Sequence, residues 1–184
     1  MAKVNHNVVV EGLSGAVGQQ LVFKRGKAGR TIVAYKPRFN ENRVFTAPQL
    51  AQQLAFRQAA AYAHTAQVNP LYITKAKGTP HSAYNLAIAD WFTPPDIMDL
   101  DLSGYTGQAG QVIRVKALDD VQVKSLSIVI ADDAGSVIEQ GPATTLDSLA
   151  WVYTTTAVAA GAHPRVQATA QDLPGHTGKL EKMK

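Results

Sequence analysis

The chain has 184 residues, of which 46% are apolar and 17% charged; that is enough apolar material for a packed core and argues against disorder. Cysteine is absent, which excludes disulfide frameworks, thiolate metal sites and cysteine nucleophiles. The apolar runs are short and none approaches the ~20 residues of a membrane span, and no secretory apolar core follows Met1.

The net charge of +4 is unevenly spread. Residues 1–89 hold eleven basic and two acidic side chains, a net of +9, whereas residues 90–184 hold seven basic and twelve acidic ones, a net of −5. Such a split suits contact with nucleic acid, docking of the basic part of one copy on the acidic part of the next, or no role beyond solubility.

Taken in order, the segment Asn7–Glu11, with Val8, Val9 and Val10 at its centre, reads as a strand. It either belongs to its own domain or is donated to a neighbour's sheet edge. Residues 20–36 read as a β-hairpin. Phe23 and Tyr35 are placed on its inner face, and glycines in Arg25–Arg30 permit the turn. The cations Lys24, Arg25, Lys27 and Arg30 gather at the hairpin tip, with Lys36, Arg38 and Arg43 following; all seven are candidates for contact with phosphate or with another subunit. Gly12, Gly15 and Gly18 lack the strand-loop-helix context of a nucleotide site and fit a bulge or a close backbone crossing instead.

Residues 46–67 predict a long helix, with Thr46 as cap, Pro48 in the first turn and Gln49 closing a capping box. At 100° per residue, Ala47, Leu50, Leu54 and Ala61 fall on one apolar side and Phe56, Ala59 and Ala63 on another, a pattern that expects cover on two sides. A second helix is predicted over 80–92, with Tyr84, Ala87, Ile88 and Trp91 facing a core. His81, Ser82 and Asp90 are residue types of a hydrolase, but no nucleophile elbow accompanies them, and Ser82 suits a cap. Pro94-Pro95 stops the helix and marks the expected boundary between domains 1–95 and 96–184.

Beyond Ile97 the period becomes two. Strands are predicted near 97–103, 111–118, 122–131, 136–140, 149–157, 164–171 and 177–182, with a β-bulge at Ser125 where the apolar parity shifts. The fold class expected is therefore an α+β N-terminal region, a hairpin plus two helices, followed by an all-β immunoglobulin-like sandwich. The stretches VIRVKALDDVQVKSLSIVIADDAGSVIEQGPA, WVYTTT and HPRVQATAQDLPGHTG resemble bacterial immunoglobulin-like and fibronectin-like modules. That resemblance implies adhesion or lattice contacts, with Trp151 and Tyr153 serving the core in place of paired cysteines. LSGAVGQQLVFKRGKAGRTIVAYKP, TAPQLAQQLAFRQAA and SAYNLA are similar to the opening of small uncharacterised bacterial proteins, some of them prophage-associated, a resemblance that implies no activity.

The five histidines share no helical metal spacing, and the aspartates form no calcium loop. No catalytic, cofactor or metal residues are expected. The expected function is a non-enzymatic, self-assembling structural protein of a virion, phage-like particle or filament. It would form a homo-oligomer or polymer, alongside other particle components. It would be made in the cytoplasm and incorporated into a virion or extracellular particle. The alternatives are nucleic-acid binding through the basic half, and a surface module that binds carbohydrate or protein.

Overall fold

The computed structural model describes residues 2–4, 10, 12–26, 30–38, 42–159 and 163–184, with only the backbone of 2–4. The chain divides into two compact units, Met1–Gln53 and Leu54–Lys184. The division falls inside a helix and not at Pro94-Pro95. The N-terminal unit contains more than a hairpin. Strands β1 (Ala2–Val4), β2 (Gly15–Val17), β3 (Leu21–Arg25) and β4 (Thr31–Tyr35) form one antiparallel sheet in the order β1-β4-β3-β2. Among its described residues, Phe23 is the one buried apolar side chain, and Thr31 is buried beside it on the same face. Of the strand-donation candidates, Val8 and Val9 lie outside the described residues. Val10 stands in a turn, its carbonyl accepting from the Leu13 N–H at 3.4 Å.

Helix α1 (Ala47–Ala66) matches the expected span. Half of the capping box forms, with the Gln49 side chain accepting from the Thr46 N–H at 3.1 Å. A short helix, α2 (Pro70–Ala76), was not expected; Asn69 caps it by accepting from the Leu71 N–H at 3.0 Å, and Pro70 fills its first turn. Helix α3 (Ala83–Phe92) begins at Ser82, whose hydroxyl accepts from the Asn85 N–H, so this serine is a cap.

Two four-stranded antiparallel sheets follow, and they make a β-sandwich. One has the order β5 (Asp96–Asp101), β6 (Val112–Leu118), β10 (Ala150–Thr154), β9 (Thr144–Thr145); the other has β12 (Thr177–Met183), β11 (Arg165–Gln171), β7 (Ser125–Ala131), β8 (Val137–Pro142). Alternation decides what is buried. Ile113, Val115 and Ala117, then Leu126, Ile128 and Ile130, then Val166, Ala168 and Ala170 fill the core with Trp151 and Tyr153. The parity shift falls just ahead of β7, which starts at Ser125. The Asp119 carboxylate takes the N–H groups of Val121 and Gln122, and the Lys124 N–H donates at 2.7 Å to the carbonyl of Gln171, the residue that also pairs with Ser125.

One edge of each sheet meets the other at β5 and β12, where Lys182 and Lys184 donate to the carbonyls of Leu100 and Leu102 at 3.0 and 2.9 Å. Backbone approaches backbone there: a Cβ at Gly178 would collide with the Pro95 carbonyl oxygen. Gly178→Ala is expected to lower the unfolding free energy by about 1–3 kcal/mol, read as a lower urea midpoint at unchanged slope.

The helices belong with the sandwich. Ala63, Tyr72 and Ala87, one from each helix, form a second core with Val121 and Leu173 from sandwich loops. That shared core is why the residues after Pro95 do not form a separate unit. Among the described residues, no helix is long and apolar enough to cross a membrane.

Candidate functional site

The candidate cations of the N-terminal unit do not form one cluster. Strand pairing runs from Arg25 opposite Thr31 to Leu21 opposite Tyr35, so the ends of the β3–β4 hairpin are about 13 Å apart. Lys24, Arg25 and Arg30 stand at one end; Lys27 lies outside the described residues. Arg25 is committed locally, donating through Nε and Nη2 to the Gly12 carbonyl at 3.1 and 2.6 Å. Gly12 has a φ of 80°, a backbone state that glycine adopts freely.

Lys36 and Arg38 stand at the opposite end. There the Lys36 N–H donates to the Gln20 carbonyl at 2.7 Å. Gln19, Gln20, Tyr35, Lys36 and Arg38 line an open concavity of about 530 Å³. Tyr35 is not on a covered inner face. Its ring is 82% exposed, because it lies at the strand's end, beyond Phe23 and Val33. Arg43 belongs to neither end group; its guanidinium lies 4.8 Å from the centre of the Phe45 ring, a cation–π distance. Among the described residues, no ion pair engages any of these cations.

Helix α1 covers only part of one of its two apolar sides. Ala59 and Ala63 are buried, but Phe56 on the same side is exposed, and Ala47, Leu50, Leu54 and Ala61 on the other side are all exposed. Leu50 and Leu54 expose more than half of their surface. Among the described residues, the cover that packs on α1 is the small core of Ala63, Tyr72 and Ala87.

The C-terminal unit holds a polar cluster that the sequence reading missed. The Tyr62 and Tyr72 hydroxyls lie 2.8 Å apart, and Tyr72 donates a short hydrogen bond to Asp90 Oδ2. Tyr72 and Asp90 are fully buried, and Asp90 Oδ1 has no partner. Burial pushes the Asp90 carboxyl up to about 7; the Tyr72 hydrogen bond opposes this, and the charges of Asp119, Asp172 and Asp120 add to it. Burial likewise raises both tyrosines. Asp172 is raised by burial, against the pull of the Gly175 and His176 N–H groups that it accepts at 2.7 and 2.6 Å. The His176 ring meets Trp91 of α3 edge-on at 5.0 Å.

This cluster can hold a proton near neutral pH. It is not a triad: Ser82 caps α3, His81 is exposed, and the hydrogen-bond partner of Asp90 is Tyr72. Among the described residues, no group of three histidine or carboxylate side chains is arranged to hold a metal ion. A groove of about 510 Å³ on this unit shares Asp119 with the surroundings of the cluster, and exposed Leu71, Leu118 and Leu149 line it with Asp147 and Lys124.

No protein-family model and no curated protein matches the chain. Some solved structures are similar to part of it. CopC from Methylosinus trichosporium OB3b has 17% identity and a TM-score of 0.37, over 48% of this chain and 89% of that one. The tetra-tandem repeat in the extending region of a large adhesion protein has 17% identity and a TM-score of 0.39, over 50% of this chain and 24% of that one. A conjugative transposon lipoprotein from Bacteroides eggerthii DSM 20697 has 16% identity and a TM-score of 0.28, over 49% of this chain and 95% of that one. Likenesses of this size assign no function.

Proposed function

We propose that the protein is a non-enzymatic structural subunit that assembles with copies of itself, as in a virion, phage-like particle or filament. The observation that carries this reading is the uncovered side of α1, with Leu50 and Leu54 more than half exposed. A contiguous apolar stripe left open on a folded chain marks an interaction surface. The N-terminal unit points the same way. Among the described residues of 1–53, Phe23 is the one large apolar side chain that is buried, and a sheet with a small core gains from a covering partner.

A second copy is the occupant that charge favours. Residues 1–53 carry eight basic and two acidic side chains, a net of +6; residues 54–184 carry ten basic and twelve acidic ones, a net of −2. Helix α1 contains no acid and carries Arg57 beside the open stripe, so the stripe of one copy repels its own counterpart. It suits the leucine-lined groove of the next copy, where Asp119 and Asp147 outnumber Lys124. Unlike faces joined in this way build rings or filaments. The sandwich would be an immunoglobulin-like module within that assembly; two antiparallel sheets whose strands run β5-β6-β10-β9 and β12-β11-β7-β8 support that topology.

Light scattering and negative-stain microscopy across a concentration series test the reading. The wild-type chain is expected to form large particles. The double variant Leu50→Glu, Leu54→Glu removes two side chains worth about 1.5–3 kcal/mol each on burial, so its association is expected to weaken at least about a hundredfold. A wild-type chain that stays monomeric at high concentration overturns the proposal.

A further inference from the structure

The concavity at the open end of the β3–β4 hairpin has a composition that assembly does not explain. It brings together one aromatic ring, two cations and two amides: Tyr35, Lys36, Arg38, Gln19 and Gln20. No acid lines it. We propose that this concavity binds single-stranded nucleic acid, with a base stacked on the Tyr35 ring and the adjoining phosphates held by Lys36 and Arg38.

Each part of the recognition has its group. A ring that is 82% exposed presents an open π-face, and every base can stack on such a face regardless of sequence. Lys36 and Arg38 place two cations beside the ring, and clustered cations are what phosphate contacts require. The glutamine amides carry both donors and acceptors, which suits base edges or sugar hydroxyls. A duplex hides its base faces and would meet only the cations, so the ring selects for an unpaired strand. Strand pairing fixes one end of the site: Tyr35, the last residue of β4, sits opposite Leu21, and the Lys36 N–H donates to the Gln20 carbonyl, which ties the turn before β3 to the segment after β4. This site is separate from the α1 stripe, so the variants that test one do not touch the other.

Fluorescence anisotropy of the full chain with a labelled oligothymidylate of about a dozen nucleotides is the test. The wild-type chain is expected to bind it at low salt, and more tightly than a duplex of equal length. Tyr35→Ala is expected to weaken binding about ten- to a hundredfold, while Tyr35→Phe, which keeps the ring, stays close to wild type. Replacing Lys36 and Arg38 by alanine together is expected to flatten the plot of log affinity against log salt by about 1.4, at about 0.7 per single-strand phosphate contact. The proposal is overturned if no binding occurs at low salt, if Tyr35→Ala binds as wild type does, or if the duplex competes equally. In the last two cases the cations act as a diffuse field, of the kind that would meet the acidic face of a neighbouring copy.

Discussion

Replacing Tyr72 with alanine is expected to destabilise the protein by about 3–5 kcal/mol, the range for removing a large buried aromatic side chain. Tyr72 is fully buried between Ala63 of α1 and Ala87 of α3, two side chains too small to close the space it would leave. The same change removes the hydroxyl that donates to Asp90 and leaves a buried carboxyl with neither oxygen bonded. Tyr72→Phe separates the two effects. It keeps the ring and deletes the donor, so the expected loss is about 1–3 kcal/mol, the cost of a stranded buried polar group. Urea unfolding measures both variants. A Tyr72→Phe variant as stable as wild type would mean that the hydroxyl does not support Asp90, and the polar cluster would then be a by-product of packing.

The importance of Tyr72 was not legible in the sequence, and the reason is physical. Helix α2 spans seven residues, about two turns, so it has no room for a repeating apolar period; Leu71 and Ile73 on either side of Tyr72 face solvent. Only Asn69-Pro70 announced it, as a cap followed by a first-turn proline. The sandwich was legible because its strands are long enough to alternate: Val166, Ala168 and Ala170 are buried, as period two requires. Helix α1 was legible from Thr46, Gln49 and its alanines. Pro94-Pro95 was read as a boundary because proline stops a helix. Local stops do not report tertiary contact, and Pro95 is buried where Gly178 of β12 reaches it. The two sites were the least readable parts. Tyr62, Tyr72, Asp90, Asp119 and Asp172 come together from the three helices and two sandwich loops. Tyr35 has the parity of an inward residue and is exposed only because its strand ends there.

The buried carboxyl of Asp90 should also leave a mark on stability as a function of pH. Its ordinary value is 3.8, which is close to that of the unfolded chain, and folding raises it to about 7. Between those values the folded protein holds a proton that the unfolded chain has released. The unfolded state therefore binds fewer protons, and stability falls as pH rises from about 4 to about 7, then levels off. This is opposite to the sign for a carboxylate stabilised by a salt bridge. The raised Asp172 contributes in the same direction. The shift from 3.8 to about 7 sets the Asp90 contribution at up to roughly 4 kcal/mol, since each pKa unit corresponds to about 1.4 kcal/mol. The groups that face Asp90 are Tyr72 on α2, Tyr62 beyond it on α1, Asp119 and Asp120 in the loop after β6, and Asp172 after β11. Asp90→Asn keeps an oxygen to accept from Tyr72 and cannot titrate, so most of the slope between pH 4 and pH 7 should vanish in that variant. Urea midpoints across this range decide the matter: a slope as steep in Asp90→Asn as in wild type would place the titrating group elsewhere. Because the unfavourable ionised form is the one present above neutral pH, Asp90→Asn should compare best with wild type in alkaline buffer and worst at pH 4, where the native carboxyl is already neutral.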